Sequence, residues 1–162
     1  TAAETGHLVI STLHTNDALG VLPRLIDIGL KPSLLAGSII CAIAQRLARK
    51  LCKVCAESRP ANEEECRILG VDKNNPPILK FHKGCEQCNF TGYKGRVAIA
   101  EILPVDKMVD ELIAKSATKF EILEYLKTQG FATIAEDGIH KVLSGVTDLD
   151  EIIETVDMTD RL

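Results

Sequence analysis

Cys52-Lys53-Val54-Cys55 is answered, across a polar insert of 29 residues, by Cys85-Glu86-Gln87-Cys88. A CxxC turn lets two thiolates face one point, and two such turns supply the four soft sulfur ligands that tetrahedral Zn2+ prefers. The pattern predicts a zinc site formed by Cys52, Cys55, Cys85 and Cys88. Four thiolates fill the tetrahedron and leave no position for water or substrate, which makes the expected role structural. The alternatives are a redox dithiol or two disulfides, but a redox CxxC sits singly at a helix start, and disulfides are rare in the cytosol. After the second pair, Asn89-Phe90-Thr91-Gly92-Tyr93-Lys94-Gly95 supplies glycines for a tight knuckle whose backbone N–H groups can point at sulfur. Cys41 lies in an apolar run and reads as a buried thiol; Cys66 follows Glu63-Glu64-Glu65 and reads as an exposed one. Neither has a partner at ligand spacing. His82, beside the second knuckle, would be a ligand only in place of a cysteine.

Outward from the cysteines, residues 45–51 alternate approximately and read as a strand, and residues 96–103 form a clearer one. If these strands pair antiparallel, the module over residues 52–95 is a hairpin-like insertion whose base is held closed by the sheet. The insert is polar around residues 62–65 and 72–75 and carries Pro76-Pro77, so it has little core of its own. A module of roughly 40 residues or fewer usually needs a metal or disulfide to stay folded, a second argument for zinc.

Upstream, Leu8-Val9-Ile10-Ser11-Thr12-Leu13 is a β-branched apolar run that reads as a buried strand. A buried parallel strand needs neighbours on both sides, so this run suggests a piece of a longer chain. His14-Thr15-Asn16-Asp17 would then stand at the strand's carboxyl end, where open α/β sheets bind ligands. Residues 18–28 predict a helix that Pro23 kinks or delays, with Gly29 as its stop. Pro32 and Ser33 open a second helix over residues 34–44, apolar nearly all round. Beyond Pro104 the punctuation predicts four helices in a bundle. They open at Asp106, Thr118, Thr133 and the stretch Thr147-Asp148-Leu149-Asp150, and the last turns Ile152, Ile153 and Val156 inward. His140, between core positions of the third, reads as structural.

The chain has 162 residues, 46% of them hydrophobic, and a net charge of −4. That acidity argues against a nucleic-acid surface, which needs a basic footprint. No apolar run approaches the ~20 residues of a membrane span, and there is no signal-peptide pattern. Six cysteines, four of them at metal spacing, suggest a reducing, cytoplasmic compartment.

Residues 5–18, reading TGHLVISTLHTNDA, resemble the histidine box of the secretion ATPase superfamily. Residues 44–52, AQRLARKLC, the paired CxxC and Gly92-Tyr93-Lys94-Gly95-Arg96 are similar to its tetracysteine-bearing branch, the type II secretion and type IV pilus assembly ATPases. The resemblance implies a hexameric cytoplasmic motor, peripheral at the inner membrane through platform proteins, that spends ATP with Mg2+ on pseudopilus or pilus assembly. It implies an α/β fold: residues 1–51 as part of a RecA-like P-loop NTPase core, 52–95 the zinc module, 96–103 a return strand and 104–162 a helical bundle. His14 matches the position that approaches the γ-phosphate, and His7 is the other box histidine, equally readable as structural. Arg46 and Arg49 become candidates for contacts to nucleotide or a neighbouring subunit, against a solvated strand face. Lys94 and Arg96 stand in the same way between docking an adjacent subunit or platform protein and a plain surface role. No GxxxxGK[ST] phosphate loop occurs in the chain, so the phosphate-gripping half of the motor is expected upstream and this chain alone is expected to be inactive. A non-enzymatic zinc module docking to a membrane platform is the competing reading.

Overall fold

In the computed structural model, which describes residues 2–161, the longest elements are two strands, β1 (Cys41–Leu51) and β4 (Tyr93–Pro104). They pair with each other, and backbone bonds near the two ends give the direction. Val105 N donates to Ile40 O at 3.0 Å, and Cys52 N donates to Gly92 O at 2.8 Å. The partners run in opposite senses, so the pair is antiparallel, and the condition for a hairpin-like insertion closed at its base is met. Ile99, Glu101 and Leu103 of β4 are buried at every second position, which is the pleat placing alternate side chains on one face. In β1 the inward phase runs through Ala42, Ala44 and Ala48 and has shifted by Leu51. Between the strands lie a short antiparallel hairpin, β2 (Glu57–Pro60) with β3 (Ile78–Phe81), and helix α3 (Glu63–Leu69). Asn62 caps α3 in a reciprocal capping box with Glu65, whose carboxylate also takes Arg59 at 2.7 Å.

Around these elements the chain forms two compact units. The first comprises the residues up to Ala44 together with Glu101–Thr133. It holds α1 (Val21–Asp27), α2 (Pro32–Leu35), α4 (Lys107–Ala114) and α5 (Lys119–Thr128), around a core that includes Leu22, Leu35, Leu103, Val109 and Leu126. The second comprises Gln45–Ala100 and the residues from Ile134 onward, with α6 (Ile134–Leu143) and α7 (Leu149–Thr155). The four helices read as one bundle therefore divide, two to each unit. Their starts were legible: Asp106, Thr118 and Asp148 each accept the expected capping bond. Helix α1 begins late, with Pro23 in its first turn, and Gly29 follows its end at φ +99°.

Several expectations are corrected. Residues 8–13 form no strand, and Leu8, Val9 and Ile10 are 78%, 53% and 87% exposed. A strand exists only by pairing, and no strand of the described residues pairs with this run. The second helix stops at Leu35 instead of running to Ala44; Gly37 takes φ +76° and the chain extends into β1 from Cys41. Cys41 consequently faces outward, while Cys66 is buried among Ile68 and Leu69. The two thiols exchange the environments expected of them: Cys66 sits on the inner face of α3, whereas Glu63 and Glu64 stay exposed on its first turn. The apolar residues of the insert share a core with elements outside it. Ile68, Leu69 and Leu79 join Ile99 of β4 and Ile139 and Ile152 of α6 and α7 in one cluster. Ile152 and Val156 point inward as expected, but Ile153 is 36% exposed.

At the start of α7 a buried carboxylate ties the insert to this core. Asp148 is fully buried. It accepts from the backbone N–H of His82 at 3.0 Å, lies 2.7 Å from His82 Nδ1 and 2.8 Å from the Tyr93 hydroxyl, and caps Glu151 N at 3.2 Å. Burial and this carboxylate hold the Tyr93 phenol well above its usual range. Glu151, also buried, accepts from Arg49 N at 2.7 Å and from Arg49 Nε at 2.5 Å, and the Arg49 guanidinium lies 4.2 Å from the Tyr93 ring centroid. Replacing Tyr93 by Phe should lower the unfolding free energy in urea by about 1–3 kcal/mol, because a buried carboxylate loses a donor. Glu154→Ala removes only the exposed arm of the Arg49 pair and should change it by less than ~0.5 kcal/mol.

Candidate metal centre and the histidine segment

The loops at the base of the β1–β4 pair bring Cys52, Cys55, Cys85 and Cys88 together, all four sulfurs within 4.8 Å of one another. Cys88 Sγ is 3.8 Å from both Cys55 Sγ and Cys85 Sγ. A tetrahedral ion with metal–sulfur bonds of about 2.3 Å has ligand–ligand edges of about 3.8 Å, so these two edges have the length of a tetrathiolate cage. All four cysteines are free.

Local backbone chemistry explains the second knuckle. A 3₁₀ turn over Glu86–Cys88 brings Cys88 back toward Cys85, and Asn89 and Phe90 then adopt φ of 51° and 59°. The turn closes with Phe90 N donating to Cys85 O at 2.9 Å. Two glycines are required by close approach as well as by positive φ. A Cβ on Gly84 would lie 2.7 Å from Phe90 O, and one on Gly92 would lie 2.6 Å from His82 Cβ. Cys85 N and Gly92 N each donate to Cys88 Sγ at 3.2 Å, the N–H to sulfur contacts expected of the glycine-rich segment.

Burial opposes ionisation of Cys88, but these two N–H groups and the neighbouring thiols outweigh it and bring its pKa down to about 6. Cys55 is pushed up to about 11 by burial and by the same sulfur neighbours, against a bond from the Gly84 backbone. The cluster thus accommodates a first thiolate readily and resists the next. A divalent cation reverses that order, since it stabilises every thiolate it touches.

A second group of ligand-type atoms, His82, Asp148 and Asp150, also lies within 4.8 Å. Asp148 there is already committed to Tyr93, His82 and the α7 cap, which accounts for the grouping without a metal. The other site candidates are dispersed. His14 is exposed. His7 is exposed, with Nδ1 3.0 Å from Thr5 Oγ1. Arg46 is half-buried and donates to Gln45 O at 3.1 Å, and Arg49 is engaged by Glu151, Glu154 and Tyr93.

The segment after His14 is closely tied. Ala18 N donates to the buried Glu101 carboxylate at 2.9 Å, Gly20 N to Asp17 Oδ1 at 2.6 Å, and Lys119 Nζ meets Asp17 Oδ2 at 2.6 Å. Sequence reading passed over Glu101 and Glu151, and took Asp148 only as part of a helix start. For Glu101 a signal existed: it is an acidic residue at an inward position of an otherwise apolar strand.

Residues 1–154 match the family model described as "Type II/IV secretion system protein". The chain is 44% identical over 152 residues to the type II secretion system protein E of Pseudomonas aeruginosa, covering 94% of this chain and 30% of that protein. It is 41% identical over 152 residues to the type II secretion system ATPase E of Vibrio cholerae, with the same coverage of both chains. It is 40% identical over 154 residues to the type IV pilus assembly ATPase PilB of Thermus thermophilus, covering 94% of this chain and 17% of that protein. The chain therefore spans about a third or less of the length of these relatives. With the family model matched over 154 of its 162 residues, the chain belongs to the type II/IV secretion system protein family.

Proposed function

We propose that this chain is the histidine-box, zinc and C-terminal portion of an ATPase that drives pseudopilus or type IV pilus assembly. The observation that carries the reading is the convergence of four sulfurs between the paired strands of a chain whose family includes ATPases of both machines. In this reading Cys52, Cys55, Cys85 and Cys88 hold a structural Zn2+, whose binding fixes the two knuckles. His14 faces the γ-phosphate of ATP bound with Mg2+ by a phosphate loop elsewhere in the intact protein, where an imidazole senses the phosphate or orients the attacking water. His7 assists or supports that segment. Residues 1–51 complete a RecA-like core, and the intact protein acts as a cytoplasmic hexamer docked to inner-membrane platform proteins. Among the described residues no helix is long and apolar enough to cross a membrane.

Arg46 retains the role of a nucleotide or intersubunit contact. The role of Arg49 shifts, because its guanidinium already bonds Glu151 and Glu154, toward anchoring the strand that leads into the first knuckle. Lys94 and Arg96, both exposed, are the remaining basic candidates for an adjacent subunit or a platform protein.

Two outcomes test this. The purified chain should contain about one zinc per chain by mass spectrometry, and Cys52→Ser with Cys55→Ser should abolish it. Because the insert shares its core with α6 and α7, the double variant should lose amide-exchange protection there as well as in the insert; stoichiometric metal in that variant would refute the four-thiolate site. An intact reading frame containing a phosphate loop should hydrolyse ATP, the present chain should not, and His14→Ala in the intact protein should lower kcat by about 10²-fold. Wild-type turnover in that variant would remove His14 from the site.

A further inference from the structure

We infer that Glu101 is a positioning residue for the segment that carries His14, an inference that rests on the assignment of His14 to the nucleotide site. Glu101 is 2% exposed and occupies an inward position between Ile99 and Leu103 on β4. A buried carboxylate is costly unless its oxygens are hydrogen-bonded, and a Val or Ile would fill the same position without that cost. The carboxylate accepts the backbone N–H of Ala18 at 2.9 Å, across 83 residues of chain. Ala18 is itself fully buried and precedes the first residue of α1, Val21, so its N–H lies outside the helical ladder.

Two further anchors act on the same short stretch. Asp17 receives Gly20 N on one oxygen and Lys119 Nζ on the other, both at 2.6 Å. The path from His14 to α1 is thus tied to β4 through Glu101 and to the start of α5 through Lys119. Three residues lie between His14 and Ala18, and the four Cα–Cα steps limit the His14 Cα to within about 14 Å of that anchor. A catalytic imidazole needs this kind of restraint, since misplacement by about 1 Å can cost a hundredfold in rate. Glu101 acts through the backbone of Ala18 and touches no reacting atom.

The test uses the intact ATPase and four variants: Glu101→Gln, Glu101→Ala, His14→Ala and the last two combined. Gln keeps a carbonyl acceptor and should hold kcat within about threefold, whereas Ala should lower it about tenfold with the KM for ATP changed less than threefold. The combined variant should be no slower than His14→Ala alone, because both act on one element. Amide exchange of the peptide containing Ala18 should quicken in Glu101→Ala and not in Glu101→Gln. Wild-type kcat in Glu101→Ala, multiplying losses in the combined variant, or unchanged Ala18 exchange would each overturn the inference. Should Glu101→Ala fail to fold, Lys119→Ala removes an anchor at the surface and should lower kcat two- to threefold; no change there would likewise count against it. If the intact wild type hydrolyses no ATP, the ATPase reading fails by itself, and Ala18 exchange still decides whether Glu101 holds the segment.

Discussion

Pairing of β1 with β4 is the constraint on which the rest depends. It joins residues at least 40 positions apart in sequence, closes the base of the insert and ends in the Cys52 N to Gly92 O bond. That bond sets the backbone of the first cysteine pair beside the glycine whose N–H reaches Cys88 Sγ. Closing so long a loop costs chain entropy, and the paired strands share that cost with the knuckles. With the strands paired, the cysteines need only local turns to converge. The same strand that leaves the second knuckle carries Ile99 into one core cluster and Leu103 into the other.

Buried carboxylates supply the specificity that apolar packing lacks. Asp148, Glu151 and Glu101 are each buried, and each accepts a backbone N–H from a distant part of the chain: His82, Arg49 and Ala18 respectively. Apolar clusters tolerate small slippage, because many arrangements bury similar area. A carboxylate stripped of water does not, since displacement leaves it without a donor. The three acids therefore determine which backbone atom meets which strand or cap.

The legible parts of the chain were those written in local chemistry. Capping residues, αL glycines and alternating strands act within a few residues of themselves, which is why Asp106, Thr118, Asp148 and Gly29 could be read directly. The cysteine cluster was legible for the same reason, as its four sulfurs lie on two short turns. What failed to read depended on partners elsewhere. Residues 8–13 have strand composition but no pairing strand among the described residues, and Cys41 and Cys66 depend on strand phase and helix face. The apolar stretch after Gly37 satisfies a helix and a strand equally well by composition. Its burial alternation decides the matter, and burial is a property of the fold.

Arg49 shows how such context changes a functional reading. The family resemblance made Arg49 a candidate for a nucleotide or intersubunit contact, beside a plain solvated strand face. In the fold its guanidinium is engaged by Glu151 and lies over Tyr93, and Tyr93 in turn meets the buried Asp148. Freeing the guanidinium for a phosphate would leave Glu151 buried and short of a donor. A phosphate would have to offset that loss before it gained anything from the contact, and a guanidinium unencumbered by a buried acid would bind it more tightly. Engaged in this way, Arg49 serves to anchor the strand, and anion recognition falls more cheaply to basic groups without such a commitment.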